Sequence, residues 1–356
     1  MSFSPFSHPY LSGLLGDEET ARYFTAEAEL AAMFAFERAL ANAQAAAGLI
    51  PVAAAARIGE ACEALVPDIE ALRVGTGKDG VVVPELVKQL RTAVGLEFSE
   101  YVHFGATSQD AVDTSLMVRL LQVFNLFIAR LRRLDETLDA LDTRIASRIL
   151  MGHTRMQAAI PIFAGDRLQT WREPLWRHQH RLERMVGDGL PLQFGGAAGT
   201  LDRFGDKGIT IRLAIATELG LTDKHQWQSQ RDRVADIGNL LSLITGSLGK
   251  FGQDVALLAQ AGKEIELAGG GGSSAMAHKQ NPVAAEVLVS LARYNAVQLS
   301  GLHQALVHEQ ERSGAAWTLE WLILPQMVAA TGASLRLAGE LAGNIRSMGT
   351  DQIMAS

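Results

Sequence analysis

The chain has 356 residues, 48% of them hydrophobic and 20% charged, so a large core can form and wholesale disorder is excluded. A net charge of −7 argues against a nucleic-acid partner, although a local basic pocket for a small anion is compatible with it. The lone cysteine, Cys62, rules out a disulfide framework and a cysteine-based zinc site within the chain. The first twenty residues have no basic region followed by an apolar one, and no run of about 18 apolar residues stands out. The expectation is a cytoplasmic globular protein with no membrane segment.

In chain order, helical patterns dominate and alternating strand patterns are nearly absent. Residues 28–48, rich in Ala and Leu, predict a helix that stops at Gly48, with Pro51 beyond. Residues 73–80, RVGTGKDG, read as a glycine-rich loop, and 83–94 as a short amphipathic helix. From Thr107 to about Leu150 there is neither proline nor glycine, which permits one helix of roughly 65 Å at about 1.5 Å per residue. Shorter helices are expected at 165–188, with a kink at Pro174, and at 203–219. Long ones follow near 231–266, 282–310 and 317–346. Between Asp236 and Lys250 no residue is charged, so both faces of that stretch should be covered. Gly238, Gly246, Gly249 and Gly252 would let neighbouring helices approach. A bundle completed by other subunits follows more readily than a monomer with a thick core.

Three polar stretches carry candidate chemistry. In HFGATSQDAVDTS (103–115), Thr107 to Asp110 fit a capping box that opens a helix, and the same N-terminus, with Thr107 and Ser108, can receive a carboxylate. MGHTRMQAAIP (151–161) places His153, Thr154, Arg155 and Gln157 between a glycine and a proline; it is either a solvated connection or an arginine-based grip on a carboxylate. GGGGSSAMAHKQNP (269–282) lacks the Gly-Lys-Ser/Thr ending of a phosphate loop. Asn281 stands where an N-cap would be and Pro282 suits the first helical position, so Lys279, Asn281 and a helix N-terminus converge on an anion site.

The last stretch resembles the G-S-S-x-M-P-x-K-x-N-P signature of the fumarase/aspartase superfamily. GATSQDAVDT and GHTRMQAAIP resemble that superfamily's other two site segments, in the expected order. Together with HEQERSGAAWTLEW (308–321), they are most similar to the superfamily's cycloisomerase branch, which lactonises a carboxylated muconate in aromatic breakdown. The resemblance implies an all-α homotetramer around a 20-helix core, each site drawing one segment from each of three subunits. It implies a small tricarboxylate substrate and no cofactor or metal. Residues 1–100 would be an N-terminal helical domain and 101–346 the central long-helix bundle. Residues 347–356 would be a short tail, the usual third domain being reduced or absent.

By the same resemblance Ser273 moves the proton, and Lys279 and Asn281 hold a carboxylate and stabilise an enediolate-like carbanion. Ser274 and Met276 belong to the same loop. Thr107 and Ser108 bind a carboxylate from a second chain, and Thr154 and Gln157 act from a third. Two positions depart from the pattern. Arg155 stands where many of the lyases have a histidine, His153 being two positions earlier, which counts against an adenylosuccinate-type lyase; Arg155 could hold a third anionic group, a carboxylate or a sulfonate. Ala277 replaces the signature proline. A structural relative without turnover is the remaining alternative, opposed by the intact Ser273, Lys279 and Asn281.

Overall fold

The computed structural model describes residues 4–262, 264–272 and 281–351, and it is all-α apart from two small two-stranded antiparallel sheets. Two short helices, α1 (Ser12–Leu15) and α2 (Glu18–Ala21), precede α3 (Ala26–Ala46), α4 (Val52–Ala64), α5 (Ile69–Asp79) and α6 (Val83–Val94). Next come α7 (Ser108–Ile145), β1 (Ile149–Thr154), β2 (Gln157–Phe163), α8 (Ala164–Gly187) and α9 (Gly208–Leu219). The chain closes with α10 (Asp232–Ala261), β3 (Ile265–Leu267), α11 (Val283–Gln304), α12 (Ala315–Gly343) and β4 (Ile345–Met348).

The long helices run up and down. Arg231, just before α10, pairs with Asp113 near the start of α7, and Glu320 near the start of α12 reaches the same arginine. Thus α7, α10 and α12 all begin at one end of the bundle. The helices α8 and α11 return. A Cβ on Gly165 would lie 3.2 Å from Ala146 at the far end of α7, and Gly252, Gly249 and Gly238 of α10 face Ala285, Ala292 and Leu302 of α11 in antiparallel order. These three glycines do what their spacing suggested: a methyl on any of them would come within 2.6 Å of α11. Gly246 faces no neighbour. With Asn239 and Leu243 it leaves an exposed, uncharged stripe on α10, so the chain by itself covers only part of that helix.

The most apolar window of α7 is long and apolar enough to cross a membrane, with a mean hydropathy of 1.4, yet 67% of it is buried in this bundle. It is the core helix. Phe124, Phe127, Leu131 and Leu120 are fully enclosed on it.

Three expectations are corrected. Residues 73–79 are helical, not a loop. Asp68 caps α5 by accepting the Ala71 N–H at 3.0 Å, and Gly80 ends it in the left-handed region (φ 73°). Gly75 is there for proximity, since a Cβ would stand 2.7 Å from Glu85 Cβ on α6.

The long helix stops at Ile145, and the chain turns into an antiparallel hairpin pairing Met151 with Pro161 and Thr154 with Gln157. The two-residue turn, Arg155–Met156, has positive φ at both positions (47° and 65°), the geometry that suits the twist of a tight hairpin. Nothing in the residue types of that turn announces it. Finally, Pro282 is the N-cap of α11 and Asn281 precedes it. Asn281 pairs its backbone with Gly271 in an isolated bridge (2.8 and 2.9 Å) instead of capping the helix. Pro174 lies inside α8, which continues through it as one helix.

Candidate active site

At the end of the bundle where α7 begins, Thr107 is the N-cap in extended conformation, and Asp110 accepts its N–H at 3.1 Å. The capping box forms as expected. Asp110 does more than cap. Its carboxylate also accepts the N–H groups of Gly195 and Gly196, each at 2.9 Å, and Gln193 Nε2 at 3.2 Å. Complete burial pushes this carboxyl up to about 6, against the downward pull of those four donors. Gly105 and Gly196 adopt φ of 72° and 70°, and a methyl on Gly105 would strike the Phe204 ring at 2.4 Å. Asp110 thus ties the 193–196 segment to the helix start and leaves Thr107 and Ser108 half-buried beside the open first turn. Such a turn offers unsatisfied N–H groups to an anion.

One turn along α7, Asp113 and Arg231 form a buried bidentate pair at 2.6 and 3.2 Å. On its other side Arg231 binds Glu320 at 2.9 and 2.5 Å, and its guanidinium lies 4.6 Å from the Trp227 ring centre. Burial opposes the charges, but the mutual pairing outweighs it: the Arg231 pKa is raised and that of Glu320 lowered. Trp317 Nε1 donates to Asp113 at 3.0 Å. The His308 ring, its side chain wholly enclosed, stands 3.7 Å from Glu320. Gln109, between the two aspartates, binds Asp113 and the Gln228 carbonyl through Nε2 and accepts Arg312 Nε at 3.0 Å through Oε1. Arg312 is exposed and makes no ion pair among the described residues. His103, which opens the segment, is half-buried and pairs with Glu37 at 2.5 Å; its removal from water would lower its pKa, but the Glu37 charge raises it.

The second segment lies at the far end of α7. His153, Thr154, Arg155 and Gln157 are all exposed around the hairpin tip, and His153 Nδ1 donates to Met151 O at 3.1 Å. The tip and the β2 strand also expose apolar surface: Met156 is 74% exposed, Ile160 67% and Phe163 56%. Asn281 lies where α10 has ended and α11 begins, away from Thr107. Ser273, Ser274, Met276 and Lys279 lie outside the described residues. One chain therefore brings together Thr107, Ser108, Gln109 and Arg312, and it does not bring His153, Thr154, Arg155 or Gln157 to them. No group of three or more His, Cys, Asp or Glu among the described residues is placed to hold a metal ion.

Sequence reasoning noticed the 308–321 segment but assigned no role to Arg312 or Glu320. It also missed Asp110 as the knot of the 193–196 loop, and Arg231. The available signal was the polar run QSQRDR (228–233) just before a helix whose middle carries no charge, where buried charge must find partners.

A bundle of long antiparallel helices, with a capped helix start at one end and a polar hairpin at the other, agrees with the fumarase/aspartase resemblance of the three polar segments. The chain belongs to this lyase family, whose sequence profile matches residues 15–295. Among its relatives is the 3-carboxy-cis,cis-muconate cycloisomerase of Pseudomonas aeruginosa, 41% identical over 323 residues, covering 88% of this chain and 70% of that protein. The N-acetyl-S-(2-succino)cysteine lyase of Enterococcus italicus is 33% identical, with 87% and 69% covered. The crystal structure of the 3-carboxy-cis,cis-muconate lactonizing enzyme from Pseudomonas putida superposes with a TM-score of 0.91 at 38% identity, over 95% of this chain and 78% of that one. The chain is thus an enzyme of the lyase superfamily, acting on a small molecule.

Proposed function

We propose that this enzyme lactonises 3-carboxy-cis,cis-muconate without a cofactor. The observation that carries the reading is the open first turn of α7, flanked by Thr107, Ser108 and the unpaired Arg312, in a chain 41% identical to a protein bearing that activity in its name. In the reaction one substrate carboxylate oxygen adds to the conjugated diene and forms the ring C–O bond. The displaced electron pair moves to the carbon beside another carboxylate, as an enediolate-like dianion, and a proton delivered to that carbon completes the lactone. No group leaves. The nucleophile belongs to the substrate, so folding the diene and holding its carboxylates supply much of the rate. Donors aimed at the dianion supply the rest.

In this reading Ser273 delivers the proton, and Lys279 and Asn281 stabilise the enediolate, with Ser274 and Met276 beside them. Thr107, Ser108 and Arg312 hold one carboxylate at the α7 start. Thr154, Gln157 and His153 come from the hairpin of another copy, and Arg155 grips the group at carbon 3. A homotetramer is proposed because the two segments are separated by the length of α7, about 55 Å at 1.5 Å per residue. The exposed stripe of α10 and the apolar β2 strand also need cover. The long helices α7, α8, α10, α11 and α12 of four copies would form its core. The proposal keeps the division into an N-terminal part to residue 100 and a bundle over 101–346, and places the enzyme in the cytoplasm.

A 3-sulfo analogue would suit Arg155 equally. Elimination from a succinyl adduct, the chemistry in the name of the Enterococcus relative, is the second reading; Arg155 in place of the superfamily's histidine favours lactonisation. The test is to mix purified protein with 3-carboxy-cis,cis-muconate and follow the near-ultraviolet absorbance of the diene, with Ser273→Ala alongside. Rapid loss in the wild type and almost none in the variant supports the proposal. An unchanged diene with the wild type overturns it and directs the assay to the sulfo analogue and to succinyl adducts.

A further inference from the structure

Arg312 is exposed yet held in one orientation, and the way it is held identifies a relay. Its Nε donates to Gln109 Oε1 at 3.0 Å and its Nη2 to the Ala197 carbonyl at 3.1 Å. Both acceptors are neutral, so the positive charge stays uncompensated, and Nη1 has no protein partner among the described residues. The guanidinium is gripped along one edge and presents the rest beside the first turn of α7.

Gln109 can make that grip in one amide orientation only. It is fully buried, and its Nε2 faces two groups that solely accept: the Gln228 carbonyl at 2.8 Å and Asp113 Oδ2 at 3.1 Å. A flipped amide would set its oxygen against both and its N–H groups against Arg312 Nε–H. Asp113 in turn cannot move away. It accepts Arg231 through both oxygens and Trp317 Nε1 through Oδ1, and Glu320 fixes Arg231 from the opposite side.

We propose that Gln109 and Asp113 are positioning residues that aim Arg312 at a substrate carboxylate, with Asp113 locking the glutamine and the glutamine orienting the arginine. Neither touches substrate. The proposal rests on reading the α7 start as the place where a carboxylate binds. Released from Gln109, the long Arg312 side chain regains rotamer freedom that substrate must then remove, so the loss falls on binding more than on turnover.

The test is a double-mutant cycle of Gln109→Met and Arg312→Met. It is read by turnover of 3-carboxy-cis,cis-muconate and by calorimetric binding of propane-1,2,3-tricarboxylate to the intact protein. Gln109→Met should weaken both KM and the tricarboxylate Kd about tenfold, the scale of one hydrogen bond to a charged group, with kcat within about twofold of wild type. In the Arg312→Met background the same substitution should change neither constant. Asp113→Leu is the second variant, decisive if Gln109→Met does not fold: it removes the carboxylate that accepts Gln109 Nε2, frees that amide to turn over and should reproduce the weakening.

Additive effects of Gln109→Met and Arg312→Met, or unaltered KM and Kd in a folded variant, overturn the relay while active wild-type protein leaves the functional reading intact. Wild type that binds the tricarboxylate and shows the coupling, but leaves the diene unchanged, overturns the reaction and keeps the relay. Neither turnover nor binding in wild type overturns both.

Discussion

Ser108 and Ile145 are the first and last residues of one unbroken helix, and about 55 Å separates them. The hairpin carrying Thr154 and Arg155 follows directly after Ile145, so no bending of a loop returns it to Ser108. If a site needs both segments, different copies supply them. Two variants damaged in different segments, Asp110→Asn and Arg155→Glu, should each be nearly inactive. Co-assembled in equal amounts, they should recover up to about a quarter of wild-type activity, because some sites then contain only intact segments. Activity no greater than the sum of the separate variants would contradict shared sites.

Asp110 gives a pH signature of defined sign. Its pKa rises on folding from 3.8 to about 6, so between those values the folded protein holds a proton that the unfolded chain has released. Its contribution to stability is fully present below 3.8 and is lost as pH rises through about 6, a change of roughly 3 kcal/mol. Function should run the other way, because only the ionised carboxylate can accept all four of its donors. The kcat/KM should fall as pH drops below about 6 while the protein remains folded, and Asp110→Asn should give a low profile without that inflection. Paired rate profiles and thermal melts from pH 4 to 8 check both halves.

Removing Arg231 leaves Asp113 and Glu320 buried without their cation. Arg231→Met should lower stability by about 3–5 kcal/mol, the scale for breaking a buried ion pair from one side. Urea denaturation followed by circular dichroism measures it. A loss under about 1 kcal/mol would mean that water already reaches the pair.

The helical class, the helix at 83–94 and the positions of the other long helices were legible because apolar periodicity is a local property of the chain. The capping box at Thr107–Asp110 was legible for the same reason: all its partners lie within one turn. The hairpin at 149–163 was not, since its turn uses Arg155 and Met156 at positive φ where Asn or Gly would have announced it. The Asp113–Arg231–Glu320 cluster joins residues more than a hundred and as few as 89 positions apart, and no spacing rule reaches that far. Asn281 was misplaced by a single position, which was enough to change it from a cap to a bridging residue.

Gly75 is the clearest case of a misleading glycine. Alanine is the better helix former by about 1 kcal/mol, so propensity alone predicts that Gly75→Ala stabilises α5. The Cβ would lie 2.7 Å from Glu85 Cβ, and α5 and α6 would have to separate. The expected outcome is a net loss of about 1–3 kcal/mol, the usual cost of overpacking. A raised melting temperature would show that the two helices can move apart freely.

The most direct measurement is the reaction run in deuterium oxide, with the product read by proton NMR. Lactonisation by internal carboxylate addition draws one proton from an exchangeable donor, so each lactone should carry one deuterium on the carbon beside the carboxylate that stabilised the dianion. It should form at the rate at which the diene disappears, and Ser273→Ala should slow both together. An unchanged diene, or a lactone carrying no deuterium, would contradict the account.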